Sequence, residues 1–377
     1  MFDNRFINAI SMLVGAIIGA GIFGLPYVAA QSGLALTLIF LVVLSAITVL
    51  MHLLYGEVVL RTNGQHRMVG YANIYLGKRG KIISSVSAIV GTYAAILAYL
   101  ILGGIFLFTL FGDVFGGDVF WYSTILFVAS FIFIAKGLKI VSWIESFLTF
   151  FLIFAIFIFL TKGSFYIDVE NFSLATNWAH SFLPYGVILF ALSGSSIIPD
   201  VVSVLGDDRT KLKKAIIWGT LIPAVIYFLF IIIIFGVSGA ETSENAVSGL
   251  AKYYGNGFIT LGALVGFLAV FTSLLAYGTN LKKTFQYDYG FSRAQGLILA
   301  LLIPFLVLMS GANDFIRIMG FSGALMGGVD GVLLILMYRK ADKGGERRPE
   351  YDIITSQGLE YFIMLIFILG FVYTVFS

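Results

Sequence analysis

The chain has 377 residues, of which 59% are apolar and only 11% are charged, and its mean hydropathy is +0.99. A soluble domain carries about 25% charged residues, so this composition excludes a water-soluble globular protein. The net charge of +3 does not indicate a nucleic-acid partner, and the absence of cysteine excludes disulfides and thiolate metal sites. The solvent of this chain is therefore expected to be the lipid bilayer.

Apolar runs between polar breaks predict eleven membrane-spanning helices, because about 20 apolar residues cross the hydrocarbon core. The predicted spans cover approximately residues 6–31, 33–60, 82–111, 119–135, 140–161, 181–205, 214–238, 256–280, 292–311, 314–338 and 358–376. The first run is not expected to be a cleaved signal peptide, because glycines and Pro26 interrupt it and the hydrophobicity continues beyond it.

The basic residues predict how these spans are oriented. If the N-terminus is cytoplasmic, all lysines and arginines except Lys162, Lys252 and Arg317 fall on the cytoplasmic side. Cytoplasmic loops of membrane proteins carry such an excess of positive charge. The sequence therefore predicts a multi-pass protein of the cell membrane with a cytoplasmic N-terminus and an extracytoplasmic C-terminus.

The first span contains a predicted break from Gly19 to Pro26, within VGAIIGAGIFGLPYVAAQSG. Glycine loosens a helix and proline removes a backbone donor. Irregular backbone at membrane depth is tolerated only where protein or a water-filled cavity satisfies it. The alternative is that these glycines only permit close helix packing, since Gly15 and Gly19 have the GxxxG spacing.

The sixth span, LPYGVILFALSGSSIIPDVVSVLG, carries a matching feature, because Pro199 follows Gly194 at the spacing by which Pro26 follows Gly21. The two segments lie five spans apart, so they cross the membrane in opposite directions. Interrupted segments at matching positions of two inverted halves indicate a transporter binding site. The sequence thus predicts one transport domain over residues 1–377, with repeats at about 6–161 and 181–338 and an extra helix at about 358–376.

Such breaks expose backbone groups of opposite polarity. A helix that restarts presents unpaired amides, which attract a carboxylate, and an interrupted helix presents unpaired carbonyls, which attract an ammonium group or a cation. Both together suit a zwitterionic amino acid, with the amides of Gly21 to Gly24 on its carboxylate. The predicted binding residues at the two breaks are Ala16, Gly19, Ala20, Gly21, Ile22, Phe23, Gly24, Phe190, Ala191, Leu192, Ser193 and Gly194.

Three segments carry a resemblance to a known family. They are GAIIGAGIFGLP in the first span, HRMVGYANIYLGKRGK after the second and LFALSGSSIIPDV in the sixth. With these motifs the chain resembles the amino acid/polyamine/organocation superfamily, which has the LeuT-type fold. It looks closest to the amino acid/auxin permease branch, which includes bacterial aromatic amino acid permeases. The resemblance covers essentially the whole chain.

The resemblance implies an all-α membrane fold with discontinuous helices 1 and 6, and a substrate site between spans 1, 3, 6, 8 and 10. Within those spans Tyr93, Phe271 and Phe321 are predicted to line the pocket. In sodium-coupled members hydroxyls of span 8 hold the cation, and Thr272 and Ser273 occupy a corresponding position. Some proton-coupled members have a lysine in span 5, which this span lacks, so the coupling ion stays open between Na⁺ and H⁺.

Ionisable groups inside spans are costly and usually face the bundle interior. Asp330 and Glu145 are candidate proton carriers. Asp200 is expected to pair with Arg5 or Arg67 as an inner gate, and Arg317 to belong to an outer gate. The alternative is that these groups form fixed ion pairs at helix ends.

These features predict a secondary transporter that moves a neutral or aromatic amino acid by alternating access, coupled to Na⁺ or H⁺. An uncoupled exchanger of the same fold is the main alternative. A channel would need a filter repeated by symmetry, and a membrane enzyme would need clustered catalytic side chains at one face. No cofactor besides the coupling ion is expected, and the partners are the amino acid and the bilayer.

Overall fold

The computed structural model describes residues 4–172, 175–250 and 256–376, without the side chains of residues 4, 138–146, 256 and 258. The helices in these ranges are α1 (Asn4–Ile17), α2 (Gly21–Ser32), α3 (Leu34–Leu60), α4 (Met68–Phe115), α5 (Val119–Lys136), α6 (Leu138–Ser164), α7 (Leu183–Ala191), α8 (Ile198–Leu205), α9 (Leu212–Ser238), α10 (Asn256–Tyr287), α11 (Arg293–Met309), α12 (Phe315–Gly323), α13 (Asp330–Gly344) and α14 (Gln357–Phe376). A π-helical turn, Ala324–Val329, joins α12 to α13.

The described residues include nine helical spans that are long and apolar enough to cross a membrane. The bent pair α1 and α2 makes a tenth. Helix α11 lies at the predicted ninth span, but its 17 residues make it shorter than the others. The multi-pass helical architecture is confirmed, while the total of eleven spans stays a prediction.

The first span is discontinuous, as predicted, but its break is shorter than expected. Helix α1 ends at Ile17, α2 begins at Gly21, and the two axes are bent by 48°. Pro26 lies inside α2 rather than in the break, so the prediction of a break that reaches Pro26 is wrong. Within α2, proline removes the hydrogen bond to the carbonyl of Ile22 and its ring crowds that carbonyl, yet α2 continues on both sides of it.

The sixth span is also discontinuous. Helix α7 ends at Ala191, a 3₁₀ turn covers Ser195–Ile197, and α8 begins at Ile198. Pro199 lies in the first turn of α8, where a missing N–H costs nothing because that amide has no helical partner. The chain between Ala191 and Ser195 is therefore the irregular part of this span.

Helix α4 is longer than the predicted third span and begins at Met68. It kinks at Gly77, whose φ of +69° is readily adopted only by glycine. The kink separates a short first part of the helix from the long part that crosses the bundle. Arg67 stands immediately before Met68.

Large apolar side chains cover the outside of the bundle. Phe150 on α6 is 70% exposed and Phe157 is 67% exposed, which is the arrangement expected of a surface in contact with lipid. The interior holds α2, α7 and α12, whose backbones approach closely. A Cβ built on Gly323 of α12 would lie 1.9 Å from the carbonyl oxygen of Gly186 on α7, so small residues set this helix spacing.

Candidate functional site

The two breaks lie directly against each other. A Cβ built on Gly21 would lie 2.4 Å from the Cα of Ala191, the last residue of α7. A Cβ on Gly194 would lie 2.6 Å from the side chain of Ile17, the last residue of α1. At Gly21 the nearest atom belongs to the backbone, so the main chains of the two interruptions are in contact there, whereas at Gly194 the contact is with a side chain.

Tyr227 of α9 joins the ends of the two interrupted helices. Its hydroxyl lies 2.6 Å from the carbonyl oxygen of Ile17 and 2.9 Å from that of Ala191. Carbonyls at a helix C-terminus lack partners within the helix. A phenol has one proton to donate, so it cannot fully satisfy both acceptors. The pair of carbonyls therefore remains a site of negative potential inside the bundle.

We predict that Tyr227→Phe lowers transport. The change removes the hydroxyl but keeps the ring, and it leaves two buried carbonyls without their donor, at a cost of about 1–3 kcal/mol. Initial uptake rate and thermal stability in detergent are the measurements.

Tyr185→Phe is the matched control for this prediction. Tyr185 is also buried, and its hydroxyl donates to the carbonyl of Phe367 at 3.2 Å, away from the breaks. Equal transport losses in the two variants would contradict a special role for Tyr227.

The amides predicted to bind a carboxylate lie in the first turn of α2, which begins at Gly21. One of them, the N–H of Phe23, donates to the carbonyl of Ala20 at 3.1 Å. The positive end of the helix dipole points into the break from here. The first amides of α2 and the last carbonyls of α1 and α7 thus lie at the two interruptions, and their binding of an amino acid stays a prediction.

Three aromatic rings border the breaks. The Tyr99 ring on α4 lies 5.7 Å from that of Phe190 and 5.6 Å from that of Tyr277, between ring centroids. Tyr277 on α10 donates to the carbonyl of Ser193 at 2.7 Å. A Cβ on Gly19 would lie 3.3 Å from Tyr99. Sequence reasoning selected Phe190 but missed Tyr99, Tyr227 and Tyr277, because nothing in a single sequence distinguishes them from packing residues.

The three pocket-lining side chains predicted from spans 3, 8 and 10 lie away from this region. Tyr93 donates to the carbonyl of Leu299 at 2.9 Å and, with Phe321, lines a separate cavity of 1080 Å³. Phe271 packs on Phe133 of α5, at 5.9 Å between ring centroids. The structure therefore does not bring these three together with the breaks.

The two hydroxyl groups predicted to hold sodium, those of Thr272 and Ser273, differ in their contacts. Thr272 donates to the carbonyls of Leu268 and Ala269 on its own helix, each at 3.0 Å. Ser273 Oγ is buried without a hydrogen-bond partner among the described residues. A Cβ on Gly19 would lie 2.4 Å from that oxygen. Ser273 therefore faces the first break beside Tyr99, and a sodium ion at this position stays a prediction.

Arg67, Asp200 and Lys283 form an ion cluster, which we call the gate cluster. The guanidinium of Arg67 binds Asp200 through two contacts of 2.8 Å, and Lys283 Nζ lies 2.7 Å from Asp200 Oδ1. Burial opposes the charge of Arg67, but the facing Asp200 carboxylate outweighs it and raises the pKa of Arg67 above its ordinary value. Lys283 was not anticipated from the sequence.

Of the two partners predicted for Asp200, the structure selects Arg67. Arg5 lies instead 4.0 Å from Asp207. Arg317, the predicted outer-gate residue, lines the 1080 Å³ cavity with Asp314 and Glu244. Its backbone N–H donates to Asp314 Oδ1 at 2.9 Å. The two predicted gates thus lie at different ends of the bundle.

The two predicted proton carriers differ in what can be said of them. Asp330 is 8% exposed and begins α13 directly after the π-helical turn. The side chain of Glu145 lies outside the described residues. Only Asp330 can therefore be placed relative to the breaks.

Known proteins resemble the chain over almost its full length. The model of the tryptophan/tyrosine permease family matches residues 3–375. Tyrosine-specific transport system 1 of Haemophilus influenzae is 26% identical, covering 92% of this chain and 90% of its own. Glutamine transporter 2 of Aliivibrio fischeri is 24% identical over 84% of each chain. The crystal structure of MhsT in complex with L-phenylalanine covers 98% of this chain, with a TM-score of 0.70 at 17% identity.

Proposed function

The chain belongs to the tryptophan/tyrosine permease family, and we propose that it moves a zwitterionic amino acid across the membrane by alternating access. It is a multi-pass membrane transporter of the amino acid permease type and not an enzyme. Its fold is that of the LeuT-type transporters, as the likeness to MhsT shows. The observation that carries the proposal is the direct apposition of the two breaks, marked by the 2.4 Å approach at Gly21.

The apposed breaks supply groups for both charges of an amino acid. The first turn of α2 offers amides and a positive dipole to the carboxylate. The carbonyls of Ile17 and Ala191, which share one phenol proton, offer acceptors to the ammonium group. A ligand with only one of these charges would leave part of the site unsatisfied.

The neighbouring rings support a neutral or aromatic side chain for the substrate. Tyr99, Phe190 and Tyr277 are buried and present ring faces and edges beside the break. Aromatic groups gain from edge-to-face and offset contacts with such rings beyond simple burial. Two relatives are named as tyrosine-specific and another as a glutamine transporter. The test is therefore whether the space beside these three rings accepts an aromatic side chain or a smaller neutral one.

The two ends of the bundle differ, one being closed by ion pairs and the other holding a large cavity, and this difference supports alternating access. At the end predicted to face the cytoplasm, the gate cluster ties α4, α8 and α10 together. Toward the opposite end lies the 1080 Å³ cavity with Glu244, Asp314 and Arg317. A transporter closed on one side and open on the other would have this arrangement. Coupling to Na⁺ would use Ser273 and Thr272, and coupling to H⁺ would need a buried acid.

Reconstitution into liposomes tests the proposal. Liposomes that contain the purified protein are supplied from outside with each of a panel of labelled amino acids, including tyrosine, tryptophan, phenylalanine, glutamine and leucine. A proton gradient and a sodium gradient are applied in separate experiments. We expect uptake of at least one neutral or aromatic member. If folded, monodisperse protein neither takes up nor exchanges any of them, the proposal is wrong.

The same preparation separates a coupled transporter from an exchanger of the same fold. Vesicles without internal amino acid report net uptake, and vesicles preloaded with unlabelled amino acid report exchange. Accumulation in empty vesicles supports coupling. Uptake confined to preloaded vesicles identifies an exchanger.

A further inference from the structure

We propose that Asp330 binds the coupling proton and that Arg67 promotes its release when the gate cluster opens. The inference rests on the proposed transport function and adds to it the residue that senses the gradient. It is carried by the position of Asp330, by the absence of a counter-ion for it among the described residues and by the ion pair that holds Arg67 on Asp200.

Asp330 stands at a structurally unusual point of the tenth span. It follows a π-helical turn, Ala324–Val329, and its side chain is buried. Such turns are rare and frequently mark functional sites. They also insert a residue into the helical repeat, which changes the direction of the side chains that follow. Asp330 lines two cavities together with Ser193 and Ser195 of the second break.

Two small cavities meet at Asp330. One, of about 40 Å³, is also lined by His52, Ser193 and Ser195. The other, of about 30 Å³, is also lined by Ser193, Ser195 and Arg67. Since one water occupies roughly 10–15 Å³ by this measure, each cavity has room for about two to four waters. The acid thus shares one cavity with the second break and the other with both the break and Arg67 of the gate cluster.

No cation is bound to Asp330 in the described part of the chain. Its Oδ1 has no hydrogen-bond partner there. The titratable groups that face it across the two cavities are His52 and Tyr55 from α3 and Arg67 from the segment before α4. Helices α4, α10 and α14 and the second break contribute uncharged groups: Ala88, Thr92, Asn280, Thr284, Phe367, Ser193, Ser195 and Ser196.

The two basic groups among these are occupied elsewhere. His52 Nδ1 lies 2.9 Å from Thr220 Oγ1, and Arg67 is held bidentately by Asp200. An ionised carboxylate without a counter-ion is costly in a buried site. The neutral, protonated acid is therefore the stable form of Asp330 while the gate cluster is closed.

Opening the gate cluster reverses this preference. When Arg67 separates from Asp200, its guanidinium is left beside the cavity that it shares with Asp330. A cation that faces the same cavity stabilises the ionised form of Asp330, so the acid releases its proton toward the open side. By linkage, protonation of Asp330 favours the closed gate cluster to the same extent. One proton would thus be carried per cycle, bound on one side and released on the other.

Asp330→Asn tests the proposal, because asparagine imitates the protonated acid and cannot release a proton. In liposomes with a pH difference of one unit, one coupled proton drives about a tenfold accumulation. We expect the variant to lose this accumulation, to a ratio of about 1, and to keep counterflow exchange that no longer depends on pH. Glu360→Gln is the control, since Glu360 is also buried but is paired with Arg339 on the far side of α13.

A second measurement uses the unmodified protein, so it does not depend on the folding of a variant. Carbodiimide reagents label protonated carboxyl groups in apolar sites, and peptide mass spectrometry identifies the modified residue. We expect labelling of Asp330 that declines as pH rises. Labelling of Glu145 in place of Asp330 would overturn the proposal, as would proton-driven accumulation that survives in Asp330→Asn.

The failure of this proposal is distinguishable from failure of the proposed function. If the wild-type protein accumulates amino acid under a sodium gradient and is indifferent to a proton gradient, Asp330 is not the coupling residue and the transport function stands. If the wild-type protein transports nothing, the transport function itself fails.

Discussion

Gly323→Ala is expected to lower transport about tenfold or more and to destabilise the bundle. The added Cβ would lie 1.9 Å from the carbonyl oxygen of Gly186 and 2.6 Å from the backbone nitrogen of Phe190. Backbone atoms cannot rotate away as a flexible side chain can, so α12 and α7 must separate. Overpacking of this kind costs about 1–3 kcal/mol. The displaced helix α7 carries Phe190 and Ala191, so the second break would move with it.

Gly320→Ala is the matched control for that variant. It lies one turn earlier on α12, and a Cβ built there meets nothing within 4 Å. We expect its effect on unfolding to stay within about 0.5 kcal/mol, with transport near the wild-type rate. Thermal unfolding in detergent and initial uptake rates would be measured on both variants. Equal losses at Gly320 and Gly323 would show that the close approach to α7 is not the cause.

Much of this architecture could be predicted from the sequence, because membrane spans follow from hydropathy over about 20 residues. The two breaks were predicted from glycine and proline at matched positions, and both are present. The extent of the first was wrong, since Pro26 continues α2. Proline inside a helix usually kinks or breaks it, and the sequence does not show where packing against neighbouring helices keeps the helix continuous.

The contacts within the site were less predictable. Tyr227 reaches Ile17 across 210 positions of sequence and Tyr277 reaches Ser193 across 84. The sequence around a tyrosine in an apolar span does not show whether its hydroxyl binds an unpaired carbonyl or only packs against a neighbouring helix. The Arg67–Asp200 pair was predictable as one of two alternatives because charges inside spans are few. Lys283, at the end of a predicted span, looked like an ordinary interfacial lysine.

Asp200→Asn is expected to open the gate cluster. The carboxylate of Asp200 faces two cations, and the side chains of Arg67 and Lys283 are only 6% and 8% exposed. An amide cannot neutralise them, and removing one partner of a buried pair costs about 3–5 kcal/mol. States in which the two cations are separated would gain correspondingly, so we expect accumulation to collapse while counterflow exchange persists.

A single cysteine makes the opening measurable, because the chain has no native cysteine. Thr284 is 4% exposed and lines the 30 Å³ cavity behind Arg67. In a transport-competent Thr284→Cys background, a membrane-impermeant thiol reagent applied from the gate-cluster side should react at least tenfold faster after Asp200→Asn. Asp207→Asn is the control, since Asp207 is fully exposed and its ion pair with Arg5, at 4.0 Å, is a long one. An unchanged labelling rate after Asp200→Asn would contradict a gating role for the cluster.

The same background also tests how the gate cluster and Asp330 depend on each other. In Asp200→Asn the guanidinium of Arg67 has lost its carboxylate, and Asp330 is the acid that shares a cavity with it. Their attraction should stabilise the open state in a way that depends on pH, because protonation of Asp330 removes it. The labelling rate at Thr284→Cys is therefore expected to fall more steeply as pH falls in Asp200→Asn than the ionisation of the thiol alone requires. Adding Asp330→Asn should remove that excess, since no carboxylate would then share the cavity with Arg67.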